Sequence, residues 1–162
     1  MEPKPVYRAP MRARSVDAGS YPGARFGVAN SLTGTGEPLS RAPVDLEEAL
    51  VLSEEEHGAK SARMLERFAG LQDGTLVWTR TAEDEFRLGS LTGGWRYDES
   101  SEALRIGICQ VRPTRWISDI FSHLTAPDAV GHTFSRGGRN FQRIRDPDTE
   151  ERSSSLWNGA VG

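Results

Sequence analysis

Between Val6 and Val16, apolar and basic positions roughly alternate through Tyr7, Arg8, Met11, Arg12 and Arg14, a pattern that predicts a half-solvated first strand. From Asp17 to Pro43 the pattern breaks down, because Gly19, Pro22, Gly23, Gly27, Gly34, Gly36 and Pro38 interrupt any long element. So long a connection in a compact domain is either functional or disordered. Tyr21, Phe26, Val28 and Leu32 argue that this one is ordered.

Helical periodicity begins at Asp45, which stands three residues before Glu48 at capping-box spacing and is followed by Leu46, Ala49, Leu50 and Leu52. Ser53, three residues before Glu56, offers a second start. Met64, Leu65, Phe68 and Ala69 share one face of the stretch from Ala59 to Ala69. Gly58 either divides two helices or is absorbed in one, and Gly70 is a stop signal. The middle of the chain has the pattern of a sheet. Asp73-Gly74 opens a strand through Val77 and Trp78, acidic turn residues Glu83 to Glu85 follow, and Phe86 to Thr92 forms a second strand, joined by a loop longer than the tightest turns. Trp95 to Asp98, a polar connection from Glu99 to Arg105 and a strand from Ile106 to about Ile117 come next. Pro113 cannot donate to a ladder, so it requires a bulge, a bend or an edge in that strand. A short helix or turn is expected within Phe121 to Gly131, and a last amphipathic piece ends at Leu156 and Trp157.

The length, 162 residues, suits one domain with a substantial core, and the formal charge is −3. No apolar run approaches the roughly 18–20 residues needed to cross a bilayer, and no apolar leader follows Glu2, Pro3, Lys4 and Pro5. The expected compartment is the cytoplasm, with no membrane partner. Cys109, the one cysteine, fits a reducing environment and stands in a strand-like apolar context that suits a structural thiol. Eighteen of the 20 basic residues are Arg, which a GC-rich genome explains as well as phosphate recognition does. Position is more informative: Arg136, Arg139, Arg143 and Arg145 surround Phe141, with Gly137, Gly138 and Asn140 as further donors. This run has the character of a phosphate-contact surface, or of a solvated loop neutralised by Asp146, Asp148, Glu150 and Glu151.

Catalytic motifs do not appear. His57, His123 and His132 stand in no zinc-binding arrangement, there is no Walker-type loop, and Gly34-Thr35-Gly36 lacks the rest of a dinucleotide fingerprint. No cofactor or metal is expected. Aromatic residues remain, and their flat faces can sandwich a base, with stacking contributing about 1–3 kcal/mol. Trp78 and Trp116 lie inside apolar runs, where core packing is the simpler reading. Trp95 and Tyr97, flanked by Gly94, Arg96 and Asp98, fit a pocket as well as a core.

Three blocks in order, Asp73-Gly74-Thr75-Leu76-Val77-Trp78, Leu88 to Asp98 (LGSLTGGWRYD) and Val111-Arg112-Pro113-Thr114-Arg115-Trp116, resemble the PUA-like, EVE-type domain found at the N-terminus of predicted Mrr-type restriction endonucleases. The resemblance covers residues 70–118 best. It implies an α+β fold, a small, strongly bent PUA-like (EVE-like) β-barrel flanked by helices, forming a single domain over 1–162 with 119–162 as a C-terminal extension. It also implies a pocket for a flipped or modified base: Trp78 on the bordering strand, Trp95 and Tyr97 at the end of the next, and Phe26 to Asn30 in a wall where Phe26 stands in for a family Trp. No Glu-x-Lys arrangement accompanies Lys4 or Lys60, so no nuclease centre is implied. The expectation is a non-catalytic nucleic-acid-binding module. Its contacts would be Phe26, Trp78, Trp95 and Tyr97 for stacking, Asn30 and Asp98 for the base edge, and Arg136, Arg139 and Arg143 for phosphates. The competing expectation is a regulatory module that docks a separately encoded protein such as a nuclease, with Trp95 and Tyr97 as anchors.

Overall fold

The structure, a computed structural model, describes residues 4–12, 20–138 and 140–162. Its centre is a strongly curled half-barrel sheet flanked by helices, in an α+β arrangement. The strands are β1 (Val6–Arg8), β2 (Leu32–Thr35), β3 (Leu76–Ala82), β4 (Glu85–Leu91), β5 (Arg96–Tyr97), β6 (Gln110–Trp116) and β7 (Gln142–Arg143). They run in the order β2-β6-β4-β3-β1-β7, with β5 also paired to β6. The helices are α1 (Pro22–Ala29), α2 (Leu46–His57), α3 (Ala59–Gly70), α4 (Ser101–Ile106), α5 (Asp128–Ser135) and α6 (Pro147–Val161). No helix among the described residues is long and apolar enough to cross a membrane.

Alternation along β1 and β3 divides the core in two. Tyr7 and Val77 face a cluster with Phe26, Leu52, Phe68, Ile108 and Val111, which α1 to α4 cover. Val6, Leu76 and Trp78 face the opposite cluster, with Phe121, Val130, Phe134 and Trp157 supplied by the segment after β6 and by α5 and α6. The last third of the chain is therefore built into the fold. β7 pairs with β1, and Trp157 and Ser153 pack beneath the sheet.

The Asp45 cap is present, with its side chain accepting from the Glu48 N–H at 2.9 Å, and Gly58 (φ 98°) divides α2 from α3. Ser53 starts no helix; it is buried within α2 and hydrogen-bonds Ser61. The first strand is shorter than expected, ending at Arg8, and positions 13–16 lie outside the described residues. The stretch expected to be irregular contains α1 and β2, and the expected polar connection after Asp98 is α4, capped by Ser100. The β3–β4 turn is tight: Ala82 pairs with Glu85, and the irregularity is displaced into a bulge between Arg80 and Ala82. Pro113 lies where one edge of β6 passes from β5 to β4, so its missing N–H falls at the bend of the half-barrel.

Candidate functional site

β2 closes one end of the sheet, and its free edge borders a cavity of about 320 Å³. Segments far apart in sequence complete the lining: Pro10 to Arg12, Gly34 to Pro38, His57 to Met64 and the Gly107-Ile108 turn. Close approach explains the glycine in β2, since a Cβ on Gly34 would lie 2.3 Å from Ile108 Cγ2. The floor is apolar and soft, made by Met11, Met64 and Ile108. Met11 is buried with a left-handed backbone (φ 49°), a conformation that costs a non-glycine residue about 1–3 kcal/mol. That twist turns its thioether inward onto β2 and leaves Arg12 exposed at the cavity mouth.

Two polar groups of β2 are poorly satisfied. The Gly34 N–H donates to Met11 Sδ at 3.4 Å, and a thioether is a weak acceptor. The Thr35 hydroxyl is buried without a partner, at a cost of about 1–3 kcal/mol. On the opposite wall, His57 Nε2 lies 2.8 Å from Pro38 O and Nδ1 lies 3.1 Å from Glu37 Oε2. The ring thus ties the Glu37-Pro38 loop to the end of α2. Glu56 fastens the same loop through the Ser40 hydroxyl and N–H, and the hydroxyl bond above all holds its carboxyl below the usual range.

At the mouth, Arg12 and Lys60 are exposed and line the cavity together with Asn140. Behind Asn140 lies the buried Arg8 guanidinium. It donates to Asn140 O (3.1 Å), Thr133 O (3.0 Å), Thr133 Oγ1 (3.2 Å) and Gly137 O (3.1 Å). Burial, reinforced by Arg136, holds its pKa below the ordinary arginine value.

The expected aromatic sandwich is not assembled, and none of its four rings lines this cavity. Trp78 is fully buried in the α5–α6 cluster; its indole N–H donates to Ser153 Oγ at 2.9 Å and its ring meets the Phe121 ring edge-on at 5.2 Å. Strand alternation separates it from the other three, so it has no free face for a base. Phe26 is buried in the opposite cluster, where Trp95 and Tyr97 are half-buried. The Trp95 indole donates to Gln110 Oε1 at 2.7 Å, and the Tyr97 hydroxyl accepts from the Leu39 N–H at 3.0 Å, its pKa raised chiefly by burial. Asn30 ends α1, bonding Phe26 O, and the buried Asp98 accepts from the Ser100 N–H. Of the basic run, Arg136 caps α5 in solvent, Arg143 lies in β7 beside Glu150 (3.5 Å) and Arg139 lies outside the described residues. Phe141 is core, stacked on Tyr7 at 5.0 Å. Sequence reasoning missed Thr35, Met11, Met64, Arg12 and Lys60, whose one local signal was threonine alternating with glycine from Thr33 to Gly36. In comparison with known proteins, the chain matches no family model and no curated protein.

Proposed function

We propose that the protein is a non-catalytic, cytoplasmic nucleic-acid-binding module that receives one flipped or modified base in the cavity beside β2. The observation that carries this reading is the combination around one cavity of an apolar lining from Met11, Met64 and Ile108, poorly satisfied hydrogen-bonding groups on Gly34 and Thr35, and the cations Arg12 and Lys60. Its volume is near the lower end of the roughly 300–1,000 Å³ range of ligand pockets, which suits a single ring system. Thioethers replace the expected indoles, and a sulfur–aromatic contact contributes about 0.3–1.5 kcal/mol. Extruding a base costs a few kcal/mol, so stacking on Met11 and Met64 must be joined by base-edge hydrogen bonds to β2. His57, beside Pro38 O and the Glu37 carboxylate, forms one wall of the cavity.

The test is titration of single-stranded oligonucleotides, with and without methylated bases, against the protein and its Met64→Trp variant, whose indole would fill the cavity. Binding that disappears in a variant with unchanged thermal stability supports the reading. Absence of binding to every oligonucleotide, or undiminished binding by the variant, overturns it.

A second reading, docking of a protein such as a nuclease, draws on a different surface. Ile120 and Leu124 are 59% and 80% exposed, on a loop pinned by the Phe86–Phe121 bridge and by Asp84 against His123. Trp95 and Tyr97, with their polar atoms bonded internally, do not supply the anchors. Loss of a co-purifying partner from the Leu124→Ser variant would support docking through this loop.

A further inference from the structure

We infer that the mouth of the cavity is an anion subsite that takes a phosphate of the entering nucleotide, with Arg12 and Lys60 as its contacts and Arg8 as its positioning residue. The inference rests on the base-binding reading for the identity of the ligand, but its physical basis is separate. Among the described residues, Arg12 and Lys60, like most of the basic side chains outside Arg41, Arg80, Arg112 and Arg143, take part in no salt bridge; what sets these two apart is that both line one cavity. Among the described residues, Glu37 is the one acid lining the cavity, and its carboxylate lies 3.1 Å from His57 Nδ1. The lining thus sets two permanent cations, Arg12 and Lys60, against one carboxylate, and its balance is positive.

The loop geometry concentrates that charge. Gly137 (φ 74°) and Gly138 (φ 98°) adopt backbone conformations that side-chain-bearing residues rarely take, and with them the loop after α5 wraps the Arg8 guanidinium. A Cβ on Gly138 would lie 3.0 Å from Arg8 Nη2, and one on Gly137 would lie 3.7 Å from Arg12 Nη2. The same loop thus touches both arginines and carries Asn140 into the lining. The described hydrogen bonds of Arg8, from Nε and Nη1, go to neutral oxygens, which solvate its charge without neutralising it. An arriving phosphate monoanion or dianion supplies the missing counter-charge, and charge-assisted hydrogen bonds to Arg12 and Lys60 give it contacts stronger than neutral ones. The strained Met11 joins the two halves of the site, packing its thioether against β2 while the next residue, Arg12, stands exposed in the cavity lining.

The experiment is an NMR titration of the full chain with deoxyribose 5-phosphate, the four deoxynucleosides and their 3′,5′-bisphosphates, repeated on an Arg12→Gln/Lys60→Gln double variant. Both substituted side chains are exposed, so the fold is retained. The expected result is that the phosphate-bearing compounds shift the Lys60, Gly137 and Gly138 amides and that bisphosphates bind at least about tenfold more tightly than nucleosides. The double variant should lose that advantage, so that it binds nucleoside and bisphosphate with affinities within about twofold of each other. Equal affinity for nucleoside and bisphosphate overturns the subsite and leaves the base pocket standing. Binding of deoxyribose 5-phosphate as tight as that of any bisphosphate keeps the subsite and overturns the base pocket. No shift at these amides with any phosphate compound at about 10 mM overturns the subsite.

Discussion

Two buried arginines perform the same mechanical task at opposite ends of the sheet. Arg112, on β6, donates to Phe68 O and Leu71 O at the end of α3 and to Gly93 O. Arg8, on β1, donates to Thr133 O, Gly137 O and Asn140 O around the end of α5. In each case a guanidinium ties carbonyls left over at a helix C-terminus to a strand, where the helix dipole also favours a cation. They differ in how the charge is handled. Arg112 has the Asp73 carboxylate at 2.9 Å, which opposes the lowering of its pKa by burial. Among the described residues Arg8 has no carboxylate partner, and Arg136 presses on it. The same strap is thus closed at Arg112, where it holds a structural turn, and left electrostatically open at Arg8, beside the cavity.

The largest effect should come from the closed strap. Arg112→Met removes a 2%-exposed guanidinium and strands three carbonyls, among them that of the buried Phe68. Chemical denaturation should show a loss of about 3 kcal/mol, on the order of 1 kcal/mol for each carbonyl left without its donor, since the Asp73 carboxylate that remains is exposed to water. Arg8→Met should lose less, about 1–2 kcal/mol, because Asn140 is exposed and Thr133 and Gly137 are half-buried, so water can take over their carbonyls. It also removes the repulsion from Arg136. A loss at Arg8 equal to that at Arg112 would show that both straps are purely structural and would break the comparison.

Neither strap is legible in the sequence, although the elements that Arg112 joins are: Asp73-Gly74 opens a strand, and Pro113 requires a bulge, a bend or an edge, because both signals are local. The Asp45 cap and the β3–β4 strands were legible for the same reason. α1 and β2 were not. Gly27 and Gly34 look like breakers, yet they are small because Met11 Sδ and Ile108 Cγ2 would lie 2.7 and 2.3 Å from a Cβ there, contacts set by tertiary packing. The apolar run around Trp78 points to the core, where the ring lies; the pocket position comes from the resemblance alone, because alternation cannot say which face of β3 the C-terminal helices will cover. The basic run has the pattern of a continuous surface or a solvated loop, whereas Phe141 and the pairing of β7 with β1 draw its middle into the fold. The cavity itself is assembled from backbone and thioethers of four separate segments, none of which carries a motif.

The finest distinction between the straps is the sign of their response to salt. Arg8 lies near a like charge, so chloride salt screens a repulsion and its stabilising contribution should grow with ionic strength. Arg112 lies against a carboxylate whose side chain is 64% exposed, so salt screens an attraction and the contribution should shrink. The measurement is the stability difference between wild type and each methionine variant, by urea denaturation at low and high sodium chloride, since urea adds no ionic strength of its own. The expected changes are small, about 0.2–0.5 kcal/mol, and opposite in sign. Matching signs would mean that the open strap has a counter-charge after all, and that Arg8 does not leave positive potential at the cavity mouth for a phosphate to meet.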